Sequence, residues 1–218
     1  MSHYTVAVLT YTDDPYEVDE LLAPYWEERE VEKYIHLTKD EVIKEAKAKK
    51  EDWIKELHKY DAEQLITVLT SPKYEMVRQL ISCTSDEDFL NYKKEIYESD
   101  MDRDGNVWST YNPDSKWDWY QVGGRWPDSL YDWKHGYWCD SLKLADWDMN
   151  YDDEHHNMFE CTYAVVTPNG EWHAPGEMGW FAMSSETPEE YARWKARYKN
   201  EMLKADPDWY ITIVDCHI

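Results

Sequence analysis

Residues 108 to 126 read WSTYNPDSKWDWYQVGGRW and hold four of the chain's thirteen tryptophans. Their apolar period matches neither an amphipathic helix nor an alternating strand for long, which reads as a strand running into a shaped loop. Gly123 and Gly124 supply the positive φ or close backbone approach that such a loop requires. Arg125 beside Trp126 offers a planar cationic fork next to a stacking surface, a combination that suits an anionic, planar ligand. The same residues suit a packed aromatic core with one structural arginine, and the sequence leaves both readings open.

Outward from this stretch, both ends of the chain look like buried strands. His3 to Tyr11 (HYTVAVLTY) and Trp209 to Ile218 (WYITIVDCHI) are dense in β-branched and aromatic residues. Strands at opposite ends of one domain commonly pair or lie side by side. The expected fold is therefore α+β: a single domain over residues 1–218, with a central, mostly antiparallel sheet that contains both terminal strands and carries helices packed on it.

Between the ends, Val18 to Trp26 is ambiguous and Arg29 to Ile35 reads as a brief strand. Thr38 and Glu41 have the spacing of a capping box, and Val42, Ile43, Ala46, Trp53, Ile54 and Leu57 recur on one helical face. Ser71-Pro72, then Ser85 followed by Asp86, Glu87 and Asp88, open further helices. Residues 38–98 thus read as a helical insertion. Cys161 to Thr167, the turn Pro168-Asn169-Gly170 and Glu171 to His173 make a hairpin. Thr187 with Glu190 starts a last helix, whose face is Tyr191, Trp194, Tyr198 and Met202.

Composition narrows the function. Forty-six acidic against 23 basic residues leave a formal charge of −23, which disfavours direct binding to nucleic acid or to an anionic bilayer. The same charge suits a basic host surface, including one that normally holds nucleic acid, although solubility alone also accounts for it. Cys83, Cys139, Cys161 and Cys216 form no C-x-x-C pair and no secretory leader is visible, which predicts reduced thiols in a cytoplasmic setting. No apolar run reaches membrane-spanning length.

Several constellations can carry chemistry. Asp100, Asp102, Asp104 and Gly105 form D-x-D-x-D-G, a wrap for a divalent cation, but Tyr111 stands where a bidentate Glu belongs. Otherwise no cofactor is implied. Asp215 and His217 share one face of the last strand, an economical way to orient an imidazole. Cys216 between them points to the opposite face, as a small core residue. His173 is a further proton-exchanging candidate, and His155 and His156 beside Asp152, Asp153 and Glu154 form an acidic loop. Tyr131, Trp133, Tyr137, Trp138 and Trp147 are too many aromatics to bury in one short element, so some are expected to face a groove or partner.

The blocks SHYTVAVL, STYNPDSKWDWYQVGGRW, TYAVVTPNGEWHAPGEMGWF and VDCHI, in this order, resemble a widespread family of phage and prophage proteins without an assigned activity. The resemblance implies a phage protein acting in the host cell cytoplasm. It draws attention to Trp117, Trp119, Gly123, Gly124, Arg125, Trp126, Trp172, His173, Gly176, Gly179, Trp180, Asp215 and His217. Two functional expectations follow. The first is a phage accessory protein that binds and inhibits or redirects a host macromolecule through Tyr131 to Trp147 and the acidic loop beyond, in an anti-defence or nucleic-acid-mimic role. The alternative is a nucleotide-binding or nucleotide-hydrolysing protein, with Arg125 on a phosphate or carboxylate, a tryptophan such as Trp126 or Trp180 on a planar group, and His173 or His217 exchanging a proton.

Overall fold

The computed structural model describes residues 2–151, 160–178 and 183–218. The chain forms two compact units, one of Met1–Glu30 with Tyr111–Ile218 and one of Val31–Thr110.

The first unit is built on its terminal strands. Strand β1 (His3–Thr10) pairs antiparallel with β10 (Tyr210–His217) over its whole length, from His3 opposite His217 to Thr10 opposite Tyr210. Along the sheet the order is β4 (Trp119–Val122), β10, β1, β8 (Ala164–Val166) and β9 (Trp172–His173), with β7 (Ser141–Lys143) on the other half of the β10 edge. All pairings are antiparallel except β1 with β8. The α+β expectation with both terminal strands in a central, mostly antiparallel sheet therefore holds.

Each face of the sheet buries one apolar set, as period-2 alternation requires. Tyr4, Val6, Val8, Val214 and Cys216 pack on one side with Val18 and Leu22 of α1 (Pro15–Leu22) and with Trp117. Ala7, Leu9, Ile211 and Ile213 pack on the other with Trp194, Tyr198 and Met202 of α6 (Pro188–Lys204). A capping box holds the start of α6: the Thr187 N–H donates to Glu190 Oε2 (2.7 Å), and the Glu190 N–H donates to Thr187 Oγ1 (3.3 Å). A separate hairpin, β5 (Leu130–Asp132) with β6 (Tyr137–Cys139), precedes β7.

The second unit carries the helical insertion. Strand β2 (Tyr34–Leu37) pairs with β3 (Val107–Ser109) at its base. Between them run α2 (Lys39–Leu57), α3 (Ala62–Thr70), α4 (Glu75–Ser82) and α5 (Asp86–Tyr97), around Ala46, Leu80, Cys83 and Phe89. The 108–126 stretch is divided by this arrangement. Trp108 lies in β3, whereas Trp117, Trp119 and Trp126 belong to the first unit, so the expected single strand and loop is two strands in two units. The strand expected over residues 29–35 is displaced to Tyr34–Leu37.

Asp88 accepts the N–H groups of Thr84 (2.8 Å) and Ser85 (2.8 Å), and these bonds hold its carboxyl well below the usual range, at about 2. A carboxyl depressed in the folded state stabilises above its unfolded value, roughly 3.9, and that contribution disappears as pH falls through about 2. Asp88→Ala should therefore lower the denaturation midpoint, followed by circular dichroism, at pH 7. The gap between variant and wild type should close across the acid window between those two values.

Candidate functional site

The site is set by a change of character along one strand. On the α6 face of β10 the side chains run Ile211, Ile213, Asp215, His217, and the register places Leu9, Ala7, Thr5 and His3 of β1 beside them. The first two pairs are core, and the next two are polar. Strand β4 extends the polar half, with Gln121 opposite Asp215 and Trp119 opposite His217.

Two histidine–carboxylate pairs result. Asp215, 2% exposed, takes His3 Nδ1 on Oδ1 (2.9 Å) and the Arg125 backbone N–H on Oδ2 (3.0 Å). His217 places Nδ1 2.6 Å from Asp118 Oδ1. A carboxylate only accepts, so each Nδ1 carries a proton, and Nε2 of each ring is the nitrogen left to gain or lose one. The two rings are 4.9 Å apart at their centroids. Trp119 stacks on His217 at 5.1 Å and meets His3 edge-on at 5.4 Å. Among the described residues, His217 Nε2 is buried without a hydrogen-bond partner. A bare imidazole nitrogen beside a second oriented imidazole is the arrangement that proton transfer uses.

The loop after β4 is fixed by the same carboxylate. Gly124 has φ +54°, and a Cβ there would stand 2.3 Å from Asp215 Cβ. Gly123 has φ +68°, and its Cβ would stand 2.4 Å from Asp140 Oδ2. Asp140 in turn accepts the Asp128 N–H (2.6 Å), and burial raises its pKa. Only glycines let the loop lie this close to two carboxylates. Arg125 consequently sends its backbone inward and its side chain out: the residue is exposed, and its guanidinium makes no ion pair or hydrogen bond among the described residues. Trp126 is half-buried beyond it.

The structure brings Gly123, Gly124, Arg125, Asp215 and His217 together and leaves His173 out. His173 lies on β9, three strands from β10 and so about 14 Å away at the usual strand spacing. The orienting carboxylate of His217 is Asp118, not Asp215, because neighbours two apart on a strand point in parallel, whereas Asp118 enters from the position just before β4. His3 and Asp118 were not singled out by the sequence. The available signal was the placement of His3 and His217 at the outer ends of two strands expected to pair.

Other candidates disperse. Asp102 accepts from Asp104 N, Asn106 N, Asn106 Nδ2 and Trp108 Nε1, which holds its carboxyl at about 2, the Trp108 bond foremost. Asp100 and Asp104 are exposed, and among the described residues no group of three or more His, Cys, Asp or Glu is placed to hold a metal ion. Of the expected cation ligands Asp100, Asp102 and Asp104, Asp102 is engaged within its own turn. Of the candidate partner residues, Trp133 and Tyr137 are exposed. Tyr131 stacks on Tyr151 at 3.6 Å and meets Trp138 at 5.3 Å, and Trp147 packs against the α6 core. Asp152, Asp153, Glu154, His155, His156, Gly179 and Trp180 lie outside the described residues.

Comparison with known family models, with curated proteins and with solved structures gives no match. The site therefore stands on its own geometry.

Two glycine variants separate close approach from backbone conformation. Gly136 also has positive φ, +73°, but its nearest atom to an added Cβ is 4.0 Å away. Gly136→Ala should cost about 1–2 kcal/mol in urea denaturation, the left-handed penalty alone. Gly124→Ala adds a collision with Asp215 and should cost roughly 1–3 kcal/mol more.

Proposed function

We propose that the protein is an acid–base enzyme acting on a phosphate ester of nucleotide size. The observation that carries this reading is the pair of oriented imidazoles, His3 and His217, 4.9 Å apart with one unpartnered Nε2. One ring takes the proton of an attacking hydroxyl or water as its oxygen bonds to phosphorus. The other, carrying a proton on Nε2 as well as on Nδ1, gives the Nε2 proton to the departing oxygen as the P–O bond breaks. Asp215 and Asp118 hold the tautomers, and Arg125 clamps the phosphate. Trp119, 43% exposed, is the outer member of the cluster and stacks on the His217 ring. The function assigned here is the nucleotide alternative read from the sequence, with His3 in the place of His173.

A second reading has separate support. Trp133 and Tyr137 are 58% and 52% exposed. Together with the charge of −23 they suit docking to a basic host macromolecule, in the phage context that the family resemblance implies.

The test is a turnover screen over nucleotides and phosphodiesters, read by product chromatography. His3→Ala and His217→Ala should each lower kcat by about 10²-fold or more, with KM changed little. Arg125→Ala should chiefly raise KM. The wild-type pH–rate profile should be bell-shaped and lose one limb in each histidine variant. Undiminished turnover in both histidine variants defeats the catalytic reading.

A further inference from the structure

At the Ile211 end of β10, six residues and so about 20 Å along the strand from His217, α6 and the sheet leave a cavity of about 230 Å³. Its walls are apolar, with Leu9 and Val165 from the sheet and Trp194 and Met202 from α6. Its rim is charged: Arg197 and Lys204 stand against one carboxylate, Glu201, with His173 beside them. A local excess of positive charge around an apolar hollow runs against a chain whose acids outnumber its bases by 46 to 23.

The partner of Arg197 sharpens the point. Its Nη2 donates to His173 Nδ1 (3.3 Å), while His173 Nε2 lies 3.5 Å from Glu171 Oε2. The imidazole thus accepts from the guanidinium on one nitrogen and faces a carboxylate with the other. Arg197 is positioned at the mouth by a group that does not neutralise it. Neither Arg197 nor Lys204 makes an ion pair among the described residues.

We propose that this cavity binds a small amphipathic carboxylate, its aromatic or short alkyl body between α6 and the sheet and its carboxylate at Arg197 and Lys204. Size agrees with this class. A cavity of about 150 Å³ holds benzene, and sites for drug-sized ligands begin near 300 Å³. The body is therefore a single substituted ring or a chain of comparable bulk. Arginine presents two parallel N–H groups to a carboxylate, a geometry that an alcohol or amine cannot match. The site is separate from the histidine pair and does not depend on it.

The test is isothermal titration of the full chain with 3-phenylpropionate, octanoate, 3-phenylpropan-1-ol and 3-phenylpropylamine. The two carboxylates should bind at least tenfold more tightly than the alcohol, and the amine most weakly. Arg197→Ala and the double variant Arg197→Ala/Lys204→Ala change exposed side chains and should fold. Each should remove the preference for acid over alcohol while leaving alcohol binding within about twofold, the residual coming from apolar burial. Binding should persist in His217→Ala. Equal affinity of acid and alcohol for the wild type, undiminished acid binding in the double variant, or no binding of any carboxylate overturns the proposal.

Discussion

Asp215 is the constraint around which the first unit is arranged. A carboxylate 2% exposed costs several kcal/mol to dehydrate unless its oxygens are matched by donors. Here one oxygen is matched by an imidazole from the first strand and the other by a backbone N–H from the loop after β4. The beginning, the middle and the end of the chain thus meet at one side chain. Gly124 follows from the same constraint, since any Cβ at that position would occupy the space of the carboxylate.

The two faces of β10 divide the work. On the α1 face the last two residues of the strand, Val214 and Cys216, are apolar, and Cys216 is fully buried with its thiol pushed far up by desolvation. Such a sulfur is inert as a nucleophile. On the α6 face the pattern breaks after Ile213, and polar residues occupy positions that packing alone would give to aliphatic ones. Breaks of this kind lower stability and are retained where a site needs them. The polar cluster of Asp215 and His217 and the apolar pair Val214 and Cys216 are consequently one residue apart in sequence and on opposite sides of the sheet.

Much of the fold was legible because its signals are local. Thr38 with Glu41 and Thr187 with Glu190 announce helix starts within four residues, the Pro168 to Gly170 turn announces its hairpin, and β-branched density marks the terminal strands. The same period-2 logic put Asp215 and His217 on one face. Their partners were not legible, because His3 lies 212 residues from Asp215 and Asp118 lies 99 from His217. Register between distant strands is set by the whole sheet, and no neighbouring residue encodes it. The misplacement of His173 has the same origin: its hairpin was evident, but not that β8 and β9 stand on the β1 side of the sheet, away from β4. The division of the 108–126 stretch was hidden for another reason, since aromatics run continuously through Thr110 with no shift in composition.

Charge then restricts what the cationic positions can serve. A formal charge of −23 repels anions at long range, but at physiological salt the field of distant acids fades over about 8 Å. A single small anion reaching Arg125 therefore feels chiefly its immediate surroundings. There, Asp215 and Asp140 already accept hydrogen bonds from the loop, and Arg125 is exposed. A long polyanion is in a different position, because every phosphate beyond the clamp meets acidic surface with no counterion released in return. Repulsion accumulates with length while attraction stays confined to one arginine. For the proposed phosphate-ester site, the balance of charge favours a ligand of one or two phosphates over a strand of nucleic acid.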